Sequence, residues 1–140
     1  MLVLLEDVKN RVPVDHLDIG EKKYRIALSA FAALPANTTL GEKYVAHLQV
    51  GIEALRIGKT QESIEHFLAA NELIPQIKPV TKAQQSALDD GFHWLGVAYW
   101  RLAETKNCIE CNTCESCIFP IQSSGIHVQQ DAAKNAIKYL

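Results

Sequence analysis

The sequence predicts an all-α chain, and three observations carry that prediction. Apolar residues recur at i, i+3, i+4 and i+7 spacing in five separate segments. No segment shows sustained alternation with a period of two. Helix-opening residues at Thr39 and Thr81 and helix-closing residues at Pro35, Gly58 and Pro75 fall between the periodic segments.

The elements follow in order. Residues 1–20 carry Pro13, Asp15 and Gly20 with little periodicity, and predict an irregular lead-in to a domain spanning 21–140. From Glu21, residues Tyr24, Ile26, Ala27, Ala30, Phe31 and Leu34 mark a first helix, closed by Pro35 and Asn37. Thr39-Leu-Gly-Glu42 has the form of a capping box, in which the hydroxyl accepts from the third amide and the carboxylate reaches back. Its helix runs through Tyr44, Val45, Leu48, Gly51, Ile52 and Leu55 to a stop at Gly58. Thr60 is placed to cap a partner helix through Ile64, Phe67, Leu68 and Leu73, ended by Pro75. After a loop containing Pro79, a second capping box, Thr81-Lys-Ala-Gln84, opens a long helix through Leu88, Phe92, Leu95, Gly96, Ala98, Tyr99 and Leu102. A cysteine segment interrupts near 107, and a last helix begins near Gln130 with Ala132, Ala133, Ala136, Ile137 and Leu140.

Composition narrows the function. The chain has 140 residues, the size of one domain, with 48% hydrophobic and 21% charged residues, as in ordinary globular proteins. The net charge is −2 and no run of Lys or Arg occurs, which speaks against nucleic acid as a partner. No apolar stretch approaches ~18 residues, so no transmembrane segment is expected. The apolar start Met1–Leu5 meets Glu6 and Asp7 at once and lacks the basic region of a signal peptide. No Gly-rich phosphate loop, Ser-His-Asp set or His-Glu-x-x-His motif is present, and no enzyme is expected.

Residues 44–77 resemble a tetratricopeptide repeat, a unit of two antiparallel helices in 34 residues. Val50-Gly51, Ala54, Ser63, Phe67, Ala70 and Pro75 stand at its apolar-glycine, large, small, aromatic, small and proline positions. The small residues let the helices approach, and Phe67 is expected to fill the hole between them. A second repeat spans 89–140: Trp94-Leu-Gly-Val-Ala-Tyr99 matches the first helix, and the second helix is delayed by an insertion over 107–127. The resemblance implies a short solenoid of stacked helix pairs, with a surface for an extended peptide or a partner's helix.

The insertion holds all four cysteines, Cys108, Cys111, Cys114 and Cys117. Its frame is Asn-Cys108, Glu-Ser-Cys117-Ile-Phe-Pro-Ile and Gly125-Ile-His127, followed by a helix with Ala136-Ile137. This frame resembles the tetratricopeptide region of the FG-GAP/ASPIC-UnbV (cartilage-acidic-protein-like) bacterial family, over about residues 44–140. The resemblance implies a Cys108–Cys117 disulfide and an extracellular or periplasmic location. The chain departs from the family pattern at Cys111 and Cys114, which create C-x2-C-x2-C-x2-C. Four readings stay open. They are a second, inner disulfide between Cys111 and Cys114, an iron–sulfur cluster, a four-thiolate zinc site, or a single outer disulfide with two free thiols. The ferredoxin run has a three-residue gap before its fourth cysteine, and here the gap is two.

The functional expectation is a protein-interaction or assembly module. Tyr44, His47, Trp94 and Tyr99, on first helices, are the candidate partner-binding residues, with self-assembly as a further reading. The alternative is a redox or electron-transfer protein holding a cluster or zinc through the four cysteines. His66, His93 and His127 are expected to serve structure, and Glu62, Glu65 and Glu72 a solvated helix face.

Overall fold

The computed structural model of the chain describes residues 2–11, 19–78, 81–116 and 118–140. The described residues form six α-helices and no strand. The helices are α1 (Leu2–Arg11), α2 (Lys22–Ala32), α3 (Leu40–Arg56), α4 (Thr60–Leu73), α5 (Lys82–Glu104) and α6 (Asp131–Tyr139). Successive helices from α2 onward pack antiparallel, each mainly on its sequence neighbours.

Helix α1 stands where an irregular lead-in was expected, since Met1–Val8 is rich enough in apolar helix formers to turn before Pro13. Pro13 and Asp15 lie outside the described residues, as does Pro79.

Both predicted capping boxes are formed. The Thr39 hydroxyl accepts from the Glu42 amide at 3.3 Å, and the Glu42 carboxylate accepts from the Thr39 amide at 2.9 Å. Thr81 and Gln84 repeat this at 3.2 and 3.0 Å. Helix α3 ends as Gly58 predicts: its φ is +82°, the Gly58 amide bonds to Leu55 O, and the Lys59 amide reaches Ala54 O. That closure corrects the expected role of Thr60. The chain re-enters helix directly after Lys59, so Thr60 already lies inside α4, buried, and no side chain caps α4.

Three buried groups knit the helices. Tyr24 and Ala27 of α2 meet Val50 and Ala54 of α3. Ile64 and Phe67 of α4 meet Leu95 and Ala98 of α5, and Tyr139 of α6 packs on the same group. Tyr44, Ala70 and Leu88 close the α3–α4–α5 corner. Phe67 fills the space between α3 and α4 as expected: a Cβ on Gly51 would stand 2.5 Å from its ring. In the second helix pair, α5 and α6, the corresponding glycine is Gly96, which faces Leu140. Tyr139 stacks on Tyr99 with ring centroids 5.9 Å apart.

Helix α5 widens into a π-turn over Thr105–Ile109, where the Glu110 amide bonds to Thr105 O at 2.9 Å. The buried Asn107 on that turn locks the loop's two ends. It donates to Ala103 O at 3.0 Å and to Gln129 O at 2.9 Å, and accepts from the Gln129 amide at 3.1 Å.

Candidate functional site

Two features concentrate chemistry outside the packed seams: a groove between α3 and α5, and the cysteine loop. The groove is lined by Ile52 and Leu55 from α3 and by Trp94, Val97 and Trp100 from α5. Spacings of three and four residues place these side chains on one helix face. Arg56, Arg101 and Glu104 form its charged rim. Arg56 pairs with Glu53 at 2.7 Å and donates to Gly20 O at 3.0 Å, which ties the start of α2 to the end of α3. Arg101 pairs with Glu104 at 2.9 Å. Trp94 is half-buried, while Trp100 stays 57% exposed.

Of the four residues expected to meet a partner, only Trp94 lies in this groove. Tyr44 is a core residue. It is 2% exposed, and its hydroxyl donates to Ala87 O at 2.8 Å and Leu88 O at 3.1 Å, which fastens α3 to α5. Burial pushes its pKa up to about 12. Tyr99 is half-buried against Tyr139 of α6. His47 faces α4 instead of a groove: its Nδ1 lies 3.1 Å from His66 Nδ1, and Phe31 of α2 packs edge-on against both rings. Burial lowers the pKa of each histidine; His66 acts further on His47, while Glu62 and Glu65 partly offset the shift at His66. Trp100, which the sequence also offers as a groove-lining aromatic beside Trp94 and Tyr99, lies in the groove, and Val97, three residues from each tryptophan, completes it.

Glu62 is more than a solvated surface group. Its carboxylate accepts from the Tyr24 hydroxyl, joining α4 to α2. That hydrogen bond, with burial and the charge of Glu62, raises the Tyr24 pKa to about 12.

The cysteine loop is ordered by polar contacts. The Glu115 carboxylate accepts from the Ser124 amide at 2.9 Å and from its hydroxyl, which holds the carboxyl below its usual pKa. The Thr113 hydroxyl donates to Ser124 O at 3.1 Å. Gly125 is buried beneath this turn, where a Cβ would stand 2.5 Å from Glu115 O. Cys108 sits half-buried on the π-turn, its Sγ 3.7 Å from His127 Nε2. Cys111 Sγ accepts from Gln129 Nε2 at 3.5 Å, and Cys114 is exposed; both carry thiols. Cys117 lies outside the described residues, and with it the Cys108–Cys117 pairing. Among the described residues, no three Cys, His, Asp or Glu side chains converge on one point. No described helix is long and apolar enough to cross a membrane.

Comparisons of the chain with protein-family models, with characterised proteins and with solved structures found no match.

Proposed function

We propose that the chain is a non-enzymatic protein-interaction module, a short tetratricopeptide-type solenoid that takes an apolar segment of a protein partner in the groove between α3 and α5. The observation that carries this reading is the lining: five apolar side chains, two of them indoles, under a rim of Arg56, Arg101 and Glu104 in which each arginine is paired with a carboxylate. Exposed indoles beside arginine are the side chains that most often anchor protein contacts. The repeat reading is supported by the pairing of Gly51 with Phe67 in one helix pair and of Gly96 with Leu140 in the next. On this reading the chain is related to the region ahead of the FG-GAP/ASPIC-UnbV domain. Cys108 and Cys117 then form a disulfide, and the protein works outside the cytoplasm.

The groove provides its own reporter. Both tryptophans of the sequence line it, so intrinsic fluorescence reads its occupancy directly. Displayed peptides rich in aromatic and aliphatic residues are expected to shift that emission, and Trp100→Ala is expected to weaken their binding at least tenfold. A library that yields no binder, or binders indifferent to Trp100→Ala, would overturn the groove reading.

The contact of Cys108 with His127 keeps a metal or redox reading in play, because a thiol beside an imidazole is a ready ligand pair. Intact mass before and after reduction, with metal analysis on the same sample, separates the two. Loss of the outer disulfide signal together with bound iron or zinc would favour the metal.

A further inference from the structure

The seam between α3 and α4 brings two metal-ligating side chains together, away from the groove and the cysteine loop. His47 stands on α3 and His66 on α4, and their Nδ1 atoms lie 3.1 Å apart. An imidazole nitrogen binds Zn2+ at about 2.0–2.1 Å. Two such bonds to one ion set their nitrogens about 2.9 Å apart at a right angle and about 3.3 Å apart at the tetrahedral angle. The observed separation falls inside that window. The two ligands sit on helices already held together by Phe67 against Gly51, so folding alone brings them to this spacing. Phe31 packs edge-on against both rings, with centroids 4.6 and 5.3 Å away, which limits how far either swings. Neither ring is fully buried, so a hydrated cation can reach them. Burial lowers the pKa of each, which leaves both neutral near neutral pH with a lone pair to give. The ionised neighbours that act on His66 are carboxylates, Glu62 and Glu65, and their charge favours a cation here.

We propose that His47 and His66 form a two-imidazole site for a divalent transition-metal cation of the zinc class, which clamps α3 to α4. In the hydrogen-bonded pair one Nδ1 carries a proton and the other accepts it. The cation takes a lone pair from both. The Nδ1 proton of the donor ring therefore passes through water to the Nε2 of the same ring, which binds as its other tautomer, and no net proton is released. A turn of each ring about its Cβ–Cγ bond, a soft torsion, aims both lone pairs at one point. Water completes the shell around the two protein ligands. The site depends on neither the groove reading nor the cysteine loop.

Zn2+ alone is the probe, added to the full chain with its thiols alkylated so that the cysteine loop does not compete. NMR of the labelled imidazole nitrogens is expected to show the Nδ1 resonances of His47 and His66 shifting together, with those of His93 and His127 unmoved. The melting temperature is expected to rise with Zn2+, because the cation binds the paired rings of the folded chain in preference to the separated rings of the unfolded one. His47→Gln and His66→Gln are each expected to weaken binding at least tenfold and to abolish that rise, while His93→Gln leaves both intact. Circular dichroism checks that the helices persist in each variant, and the NMR titration of the parent chain needs no variant. Zn2+ that leaves both Nδ1 resonances in place, or that binds the His47→Gln and His66→Gln chains like the parent, would overturn the proposal.

Discussion

A Cβ added at Gly51 would stand 2.5 Å from the Phe67 ring, while one added at Gly96 would meet the Leu140 side chain at 2.8 Å. The two distances are similar, but the neighbours differ in their freedom to move. Phe67 is fully buried between three helices, whereas the Leu140 side chain is 63% exposed, with its backbone nitrogen 3.2 Å from the added Cβ. Alanine favours a helix over glycine by about 1 kcal/mol, and overpacking a tight core costs about 1–3 kcal/mol. At Gly51 the overpacking wins, so Gly51→Ala is expected to lower stability by about 1–2 kcal/mol in urea unfolding. At Gly96 the exposed Leu140 side chain can yield while its backbone nitrogen must give by a few tenths of an ångström, so Gly96→Ala is expected to cost less than Gly51→Ala. Equal losses at both sites would show that Leu140 is held as firmly as Phe67. Ser63, at the small position of α4, is fully buried and its hydroxyl has no hydrogen-bond partner among the described residues. Such a group costs desolvation with no return. Ser63→Ala is expected to raise stability by about 1 kcal/mol, seen as a higher unfolding midpoint; a lower midpoint would mean the hydroxyl has a partner.

The seam between α3 and α4 contains a half-buried histidine pair that makes it sensitive to acid. His47 and His66 meet through their Nδ1 atoms at 3.1 Å, and the pKa of each is lowered in the folded chain, chiefly by burial. One ring must donate and the other accept, so the pair cannot carry two protons and keep this contact. In the unfolded chain each histidine titrates near about 6.5. Below that pH the unfolded state binds more protons than the folded state, and stability falls as pH drops through the folded values. Glu62 and Glu65 beside His66 temper the fall without reversing it. The melting temperature is expected to be flat near neutral pH and to decline below about 6.5. His66→Gln, which removes one titrating ring, is expected to flatten that decline. An unchanged profile would place the acid sensitivity elsewhere. The elements themselves were readable where their determinants are local. Thr39 and Glu42, Thr81 and Gln84, and Gly58 each act within a few residues, and each is found as expected. Thr60 was not readable, because the closure of the preceding helix uses up the residue that would have preceded it. Tyr44 was not readable either. An aromatic on a first helix looks like a surface anchor until α5 arrives from 43 residues away to take its hydroxyl. The groove was half legible for the same reason: Trp94 and Trp100 share a helix face, but Ile52 and Leu55 join them only through packing.

Across the whole molecule, stability passes from neighbour to neighbour: α2 on α3, α3 on α4, α4 on α5 and α5 on α6. In such an array each interface contributes separately, and an element without an interface contributes little. Helix α1 is that element. Its Val3, Leu4, Leu5 and Val8 are all exposed, with Leu5 at 61%, and its Arg11–Asp7 ion pair at 2.7 Å is solvent-facing and internal to the helix. A groove lined by Ile26, Ala30, Phe31, Leu34 and Ala46 lies open between α2 and α3. The exposure of the α1 side chains says that α1 does not fill it. Removal of residues 1–11 is therefore expected to leave both the urea midpoint and the slope of the unfolding transition unchanged, since that slope follows the surface exposed on unfolding. Docking of α1 into the open groove would give the opposite result, a lower midpoint with a shallower slope. Phe31→Ala separates the cases further. It loses its contacts with His47 and His66 in either event, but its cost depends on the presence of residues 1–11 only if α1 packs against it. Equal costs in the full and shortened chains are expected.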